Sequence, residues 1–224
     1  MAEKNPKTGK ADHWARLELW LKRNLPEVLA DLKPGATEKQ IAGWEKKMKC
    51  VLPDELRALY RRHDGQKGKA SGPFYGLELM SLSAMHGAWK LSRDLLLEDP
   101  DGMRELADAR AESHPKGAIK RDYLNPGWIP FAHDHGGNFL GVDLDPGPKG
   151  TRGQVINFGR DEDKSYVLAP SFDAFVAWLV PQLERGNFIL ATEGPDADDR
   201  SFNTKLPKTR HFLSSVPKLF GGKR

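Results

Sequence analysis

A single cysteine, Cys50, stands in 224 residues. No disulfide can therefore close within the chain, and no cysteine-built zinc site is available. No stretch approaches the roughly 18 consecutive apolar residues of a membrane-spanning helix. The opening MAEKNPKTGK lacks an apolar core, so no signal peptide is expected. Gly-x-Ser-x-Gly, HExxH and GxxxxGK[ST] are all missing, which removes the commonest hydrolase and nucleotide-binding signatures. The expected setting is the reducing cytoplasm.

Acidic residues are absent from residues 200–224, which hold seven Lys/Arg. Since the whole chain carries +4, the preceding 199 residues sum to −3. The basic pI of about 9.1 thus describes a tail. A folded nucleic-acid-binding body would carry the basic stripe itself, so no nucleic acid is expected on the body. What the tail contacts stays open: an acidic membrane, nucleic acid, the mildly acidic body, or nothing.

The chain has helical signals first. Trp14, Leu17, Leu21 and Leu25 recur at steps of three and four, predicting a helix over about 12–24. Pro26 starts a short turn of helix, and Pro34-Gly35 is a turn. Thr37 with Gln40 is a capping-box pair before a helix over 38–48. Pro53-Asp54-Glu55 opens another, closed near Asp64-Gly65. Residues 66–73 read as a flexible loop, 74–80 as a strand, 82–97 as helix and 104–112 as a surface helix.

A β-rich stretch follows. Residues 128–132, 139–144, 154–158 and 165–169 alternate with turns carrying Gly136-Gly137, Pro146-Gly147 and Gly159. Ser171 then caps a helix whose Phe172, Phe175, Val176, Leu179, Val180 and Leu183 form one apolar stripe. Helices, then short strands, then a closing helix predict an α+β fold with a mainly antiparallel sheet. The expected organisation is a flexible segment over 1–11 and a single domain over 12–190 with a charged excursion at 98–122. An acidic linker and basic tail occupy 191–224.

Several strings resemble the SUKH superfamily of Smi/Knr cell-wall-assembly regulators and bacterial toxin-immunity proteins. They are Leu32-Lys33-Pro34-Gly35-Ala36-Thr37, Leu52-Pro53-Asp54-Glu55-Leu56 through Tyr60, and His63-Asp64-Gly65-Gln66. A second block is Trp128-Ile129-Pro130-Phe131, Asp134, Gly136-Gly137-Asn138 and Asp143, followed by Gly153-Gln154-Val155-Ile156 and the helix from Ser171 to Leu183. The resemblance covers about residues 12–188. It implies a non-enzymatic protein-binding domain. The leading expectation is an immunity protein that neutralises a toxin domain encoded nearby, because long low-complexity extensions of the fungal type are absent. The alternative is a regulatory scaffold in cell-wall assembly or signalling.

Trp128, Asp134, Asn138 and Asp143 are positions the resemblance marks. Together with Asp145, Asp161, Glu162 and Asp163 they form the candidate partner-binding set, an acidic edge that would speed encounter with a basic partner. A hydrolase is the competing class. It would use His133-Asp134-His135 with Asp143 and Asp145 around a metal, or pair His63-Asp64 with Asp134 or Asp143. His133 and His135 need not converge. Cys50 precedes Val51-Leu52 and reads as a buried, inert thiol. No catalytic residue, cofactor or metal is assigned.

Overall fold

The computed structural model describes residues 12–192, 200–207 and 211–222. The segments expected to be a flexible start (1–11) and most of an acidic linker (193–199) lie outside the described residues.

Helix α1 (His13–Asn24) begins where the Asp12 carboxylate accepts the Ala15 amide at 2.9 Å. It buries Trp14, Leu17, Trp20 and Leu21. Helix α2 (Pro26–Asp31) opens on a proline, whose missing N–H costs nothing in a first turn. Helix α3 (Glu38–Met48) carries the complete capping box. The Gln40 amide donates to the Thr37 hydroxyl at 3.3 Å, and the Thr37 amide donates to Gln40 Oε1 at 2.8 Å. Helix α4 (Asp54–Arg62) follows Pro53 and buries Leu56, Leu59 and Tyr60. Gly65, two residues beyond the C-cap His63, has φ +80°, and a Cβ there would lie 2.5 Å from the Ser81 amide nitrogen. Glycine is required at this turn on both counts.

The loop over 66–73, expected to be flexible, is pinned from below. Buried Asp31 accepts the amides of Gly68 (3.1 Å) and Lys69, and the Gln66 side chain at 3.2 Å. The strand expected over 74–80 shrinks to β1 (Glu78–Leu79). Tyr75 and Gly76 both take positive φ, and the resulting turn drives Phe74, Tyr75 and Leu77 together into the core. Phe74 and Tyr75, adjacent and both inward, cannot come from an alternating strand. Helix α5 (Leu82–Glu98) and helix α6 (Pro100–Arg110) follow. Helix α6 starts earlier than expected because Asp99 caps the Gly102 amide at 2.9 Å and Pro100 takes the first position.

Strand β2 (Glu112–His114) leads to a meander of β3 (Trp128–His133), β4 (Asn138–Asp143), β5 (Gln154–Gly159) and β6 (Lys164–Ala169). The sheet order is β1-β3-β4-β5-β6-β2, antiparallel except for β2 on β6. A bulge at Phe131 lets Pro130, which has no N–H, sit in β3. At Gly141 a Cβ would lie 2.5 Å from the Ile129 carbonyl oxygen, so only glycine lets these strands approach.

Helix α7 (Phe172–Glu184), capped by Ser171, packs on β5 and β6, with α1 packed against it. Ile129, Phe131, Leu140, Val142 and Val155 point into that core. The opposite face carries a smaller cluster of Trp128, Ile156 and Phe158, covered by Ala118 and Ile119. The charged excursion is therefore partly structural: it supplies the edge strand β2 and the lid of the second cluster.

The tail corrects the expected boundary near residue 190. Strands β7 (Ile189–Thr192) and β8 (Arg200–Asn203) pair as a hairpin, and helix α8 (Phe212–Phe220) follows. Phe202, Phe212, Leu213 and Val216 join the main core. Phe202 stacks on Trp20 at 5.6 Å between ring centroids, and Phe212 on Tyr75 at 5.4 Å. Of the fates open to the tail, its described part folds back on the body.

Candidate functional site

The expected acidic edge divides between opposite ends of β4. Asn138 and Asp143 are the two ends of this six-residue strand, five steps apart, or about 17 Å at roughly 3.4 Å per residue. At one end, Asp134 accepts the amides of Gly136 (2.7 Å) and Asn138 (3.0 Å) and the Asn138 side chain at 2.8 Å. Buried Asn138 also donates to Asp161 at 3.2 Å and accepts its amide at 2.8 Å. Burial alone would favour the neutral acid, but these hydrogen bonds hold Asp134 below its ordinary value. Asp163 pairs with Arg110 at 3.2 Å.

Glu162 accepts a short hydrogen bond from Asn157, whose side chain also orders β6 by accepting the Tyr166 amide at 2.7 Å. Burial, reinforced by the charges of Asp134, Asp161 and Asp163, raises its pKa. A carboxyl whose folded value exceeds its unfolded value stabilises the fold at acid pH, and that contribution is lost as pH rises through the folded value. Glu162→Gln keeps an acceptor for Asn157 and removes the charge. It is expected to melt higher than the parent at pH 7, with the difference vanishing as pH falls below the ordinary carboxylate range. A thermal-melt series against pH checks this.

At the other end, Trp128 and Asp143 are 3% and 0% exposed. The indole packs on Phe158, with ring centroids 5.4 Å apart. Asp143 accepts the Gln154 side chain and the Asp145 amide, each at 2.9 Å, while burial raises its pKa. Asp145 bonds Lys120 at 2.6 Å and Asn125 at 3.1 Å. Trp128, Asn138 and Asp143 thus build turns and strand ends beneath the surface, where a docking partner does not reach. Asp145, Asp161, Glu162, Asp163 and Asp134 retain exposed surface, in two separate places.

The histidines also depart from expectation. His133 and His135 do converge, with ring centroids 4.3 Å apart. Strand alternation stops at His133, and His135 takes φ +63° in the turn, which folds its ring back toward the strand. Asp143 and Asp145 lie at the far end of the hairpin and cannot share a metal with this pair. His63 is committed elsewhere: its ring nitrogens lie 3.0 Å from the Lys33 carbonyl oxygen and 2.7 Å from Glu18. Asp64 accepts the Leu82 amide at 2.7 Å. No residue expectation for a hydrolase is assembled by these contacts.

Sequence reasoning missed the largest open groove among those described, about 750 Å³. It lies between the C-terminus of α3, α5 and the loops flanking β3 and β4. Lys47, Lys49, Lys90, Arg93 and Arg152 line it, against one carboxylate, Asp145. Lys49 caps α3 in the left-handed conformation at φ +53°. His86, Trp89 and Arg93 share one face of α5 by their spacing of three and four, the one signal that sequence offered. Trp89 donates its indole N–H to the Pro126 carbonyl at 2.8 Å, and the Arg93 guanidinium stands over its ring at 5.6 Å. The ring is thereby held at the groove wall with a cation on its face. Cys50 also lines the groove, and burial pushes its thiol up to about 11, which keeps it protonated and unreactive.

Among the described residues no helix is long and apolar enough to cross a membrane. Similar proteins include a fission-yeast cell wall biosynthesis/cell cycle regulator smi1, 33% identical over 85% of this chain and 38% of its own. A Neurospora crassa glucan synthesis regulatory protein is 30% identical over 90% of this chain and 43% of its own. The Saccharomyces cerevisiae cell wall assembly regulator SMI1 is 30% identical over 82% and 42% respectively. The chain therefore spans about two-fifths of the length of these curated relatives. Each is named as a regulator, which favours the scaffold expectation and leaves toxin immunity without support. The family model matches residues 35–178, an interval that contains the whole groove, and the chain belongs to the SMI1/KNR4 family (SUKH-1).

Proposed function

We propose that this chain is a non-enzymatic regulatory scaffold in cell-wall assembly. It holds an acidic segment of a protein partner in the groove walled by Trp89 and Arg93. The observation carrying this reading is the groove's lining, five cations against one carboxylate around a fixed indole. Such a surface suits an acidic peptide bearing an aromatic or apolar anchor, because Trp and Arg are the residues that dominate binding energy at interfaces. Support for the cell-wall setting comes from the names of the three relatives.

The test is a chimera in which this chain replaces the corresponding segment of the S. cerevisiae regulator. The expected outcome is restored growth of a strain lacking that regulator on a wall-perturbing dye. Failure of an expressed, folded chimera would contradict the proposal. Protection of cells by this chain against a co-expressed toxin would instead return the immunity reading.

A further inference from the structure

We propose that Glu78, His133 and His135 form a binding site for a divalent transition-metal ion of the zinc type. The site is independent of the groove. Strand β1 pairs with β3 so that Glu78 stands directly opposite His133, a separation of about 5 Å between Cβ atoms. The turn then returns the His135 ring to the same place. One ligand atom from each of the three side chains falls within 4.8 Å of the others. His135 Nε2 is 3.1 Å from one Glu78 oxygen, and His133 Nε2 is 4.0 Å from the other.

Two imidazoles and one carboxylate are an apt donor set for zinc and its first-row neighbours, and a poor one for magnesium or calcium, which prefer oxygen alone. Glu78 and His133 are largely covered while the His135 side chain is 68% exposed. The site is thus anchored on the sheet edge and open on one side, leaving room for water as a further ligand. The His135 amide lies 3.2 Å from His133 Nδ1. Binding a metal through Nε2 places the ring proton on Nδ1 and gives up that contact, at the cost of a small adjustment in an exposed turn.

The simpler alternative is an ion pair between Glu78 and a protonated His135. Titration calorimetry of the untagged chain with Zn²⁺ and with Mg²⁺ separates the two. The expected result is one Zn²⁺ site, no comparable Mg²⁺ binding, and a shift of the His135 amide resonance on loading. His135→Asn tolerates the left-handed backbone and should weaken Zn²⁺ binding about tenfold or more, at least about 1.4 kcal/mol. Glu78→Gln should act in the same direction. His114→Ala, a histidine elsewhere on the surface, should change nothing. Zn²⁺ binding insensitive to His135→Asn, equal binding of Mg²⁺, or no binding would each overturn the proposal.

Discussion

Phe131→Ala is expected to cost the fold about 4 kcal/mol, within the range for truncating a fully buried phenylalanine. The ring is 0% exposed and sits where three elements meet. It contacts Phe74 from the turn before β1 and Phe172 from α7 edge-on, with centroids 5.5 and 5.1 Å apart, and lies 6.3 Å from Phe175. Such pairs add to the transfer term, and the bulge at Phe131 leaves neighbouring strands little freedom to collapse into the void. For a chain of this length the loss corresponds to a fall in melting temperature on the order of 10 °C. Leu91→Ala on α5, where the side chain is 63% exposed, should stay within about 0.5 kcal/mol. Paired denaturation curves check both. A Phe131→Ala midpoint as little shifted as that of Leu91→Ala would contradict the packing described.

The second large effect is on binding. Lys49→Glu with Arg93→Glu takes the groove lining from five cations and one carboxylate to three and three. Loss of attraction and introduction of repulsion should weaken an acidic partner about 100-fold, roughly 2.7 kcal/mol. The change should fall largely on the association rate and diminish in high salt. Neither side chain belongs to the core, so the variant should melt with the parent. Fold and function are separable here in a way that Phe131 does not allow.

Much of the architecture was legible in the sequence because its signals are local. Thr37 with Gln40 and Ser171 before Phe172 announce helices through their own hydrogen bonds. Gly136-Gly137 announces the β3–β4 turn. The features that escaped are assembled over distance. Strand β2 pairs in parallel with β6 across fifty residues and has no turn to reveal it. Helix α8 tolerates Pro217 because Phe212, Leu213 and Val216 are buried, so tertiary packing outweighs a local penalty.

The candidate site was less legible for the same reason. The groove draws on residues 47–50, 86–93, 125–129 and 144–152, and no spacing within one segment reports the others. Acidic residues that look adjacent in sequence order are parted by the length of β4. Trp128, Asn138 and Asp143 lie within the matched family interval and are buried. His133 and His135, two residues apart, share the side that strand alternation gives to i and i+2, although His135 reaches it from a turn at positive φ.

The most direct measurement of the central claim compares two chimeras of the S. cerevisiae regulator, one carrying this chain and one carrying its Lys49→Glu/Arg93→Glu form, at matched expression and melting temperature. Restoration of growth on a wall-perturbing dye by the first and its loss in the second is the predicted result. Equal restoration by both would contradict the assignment of regulatory function to the groove.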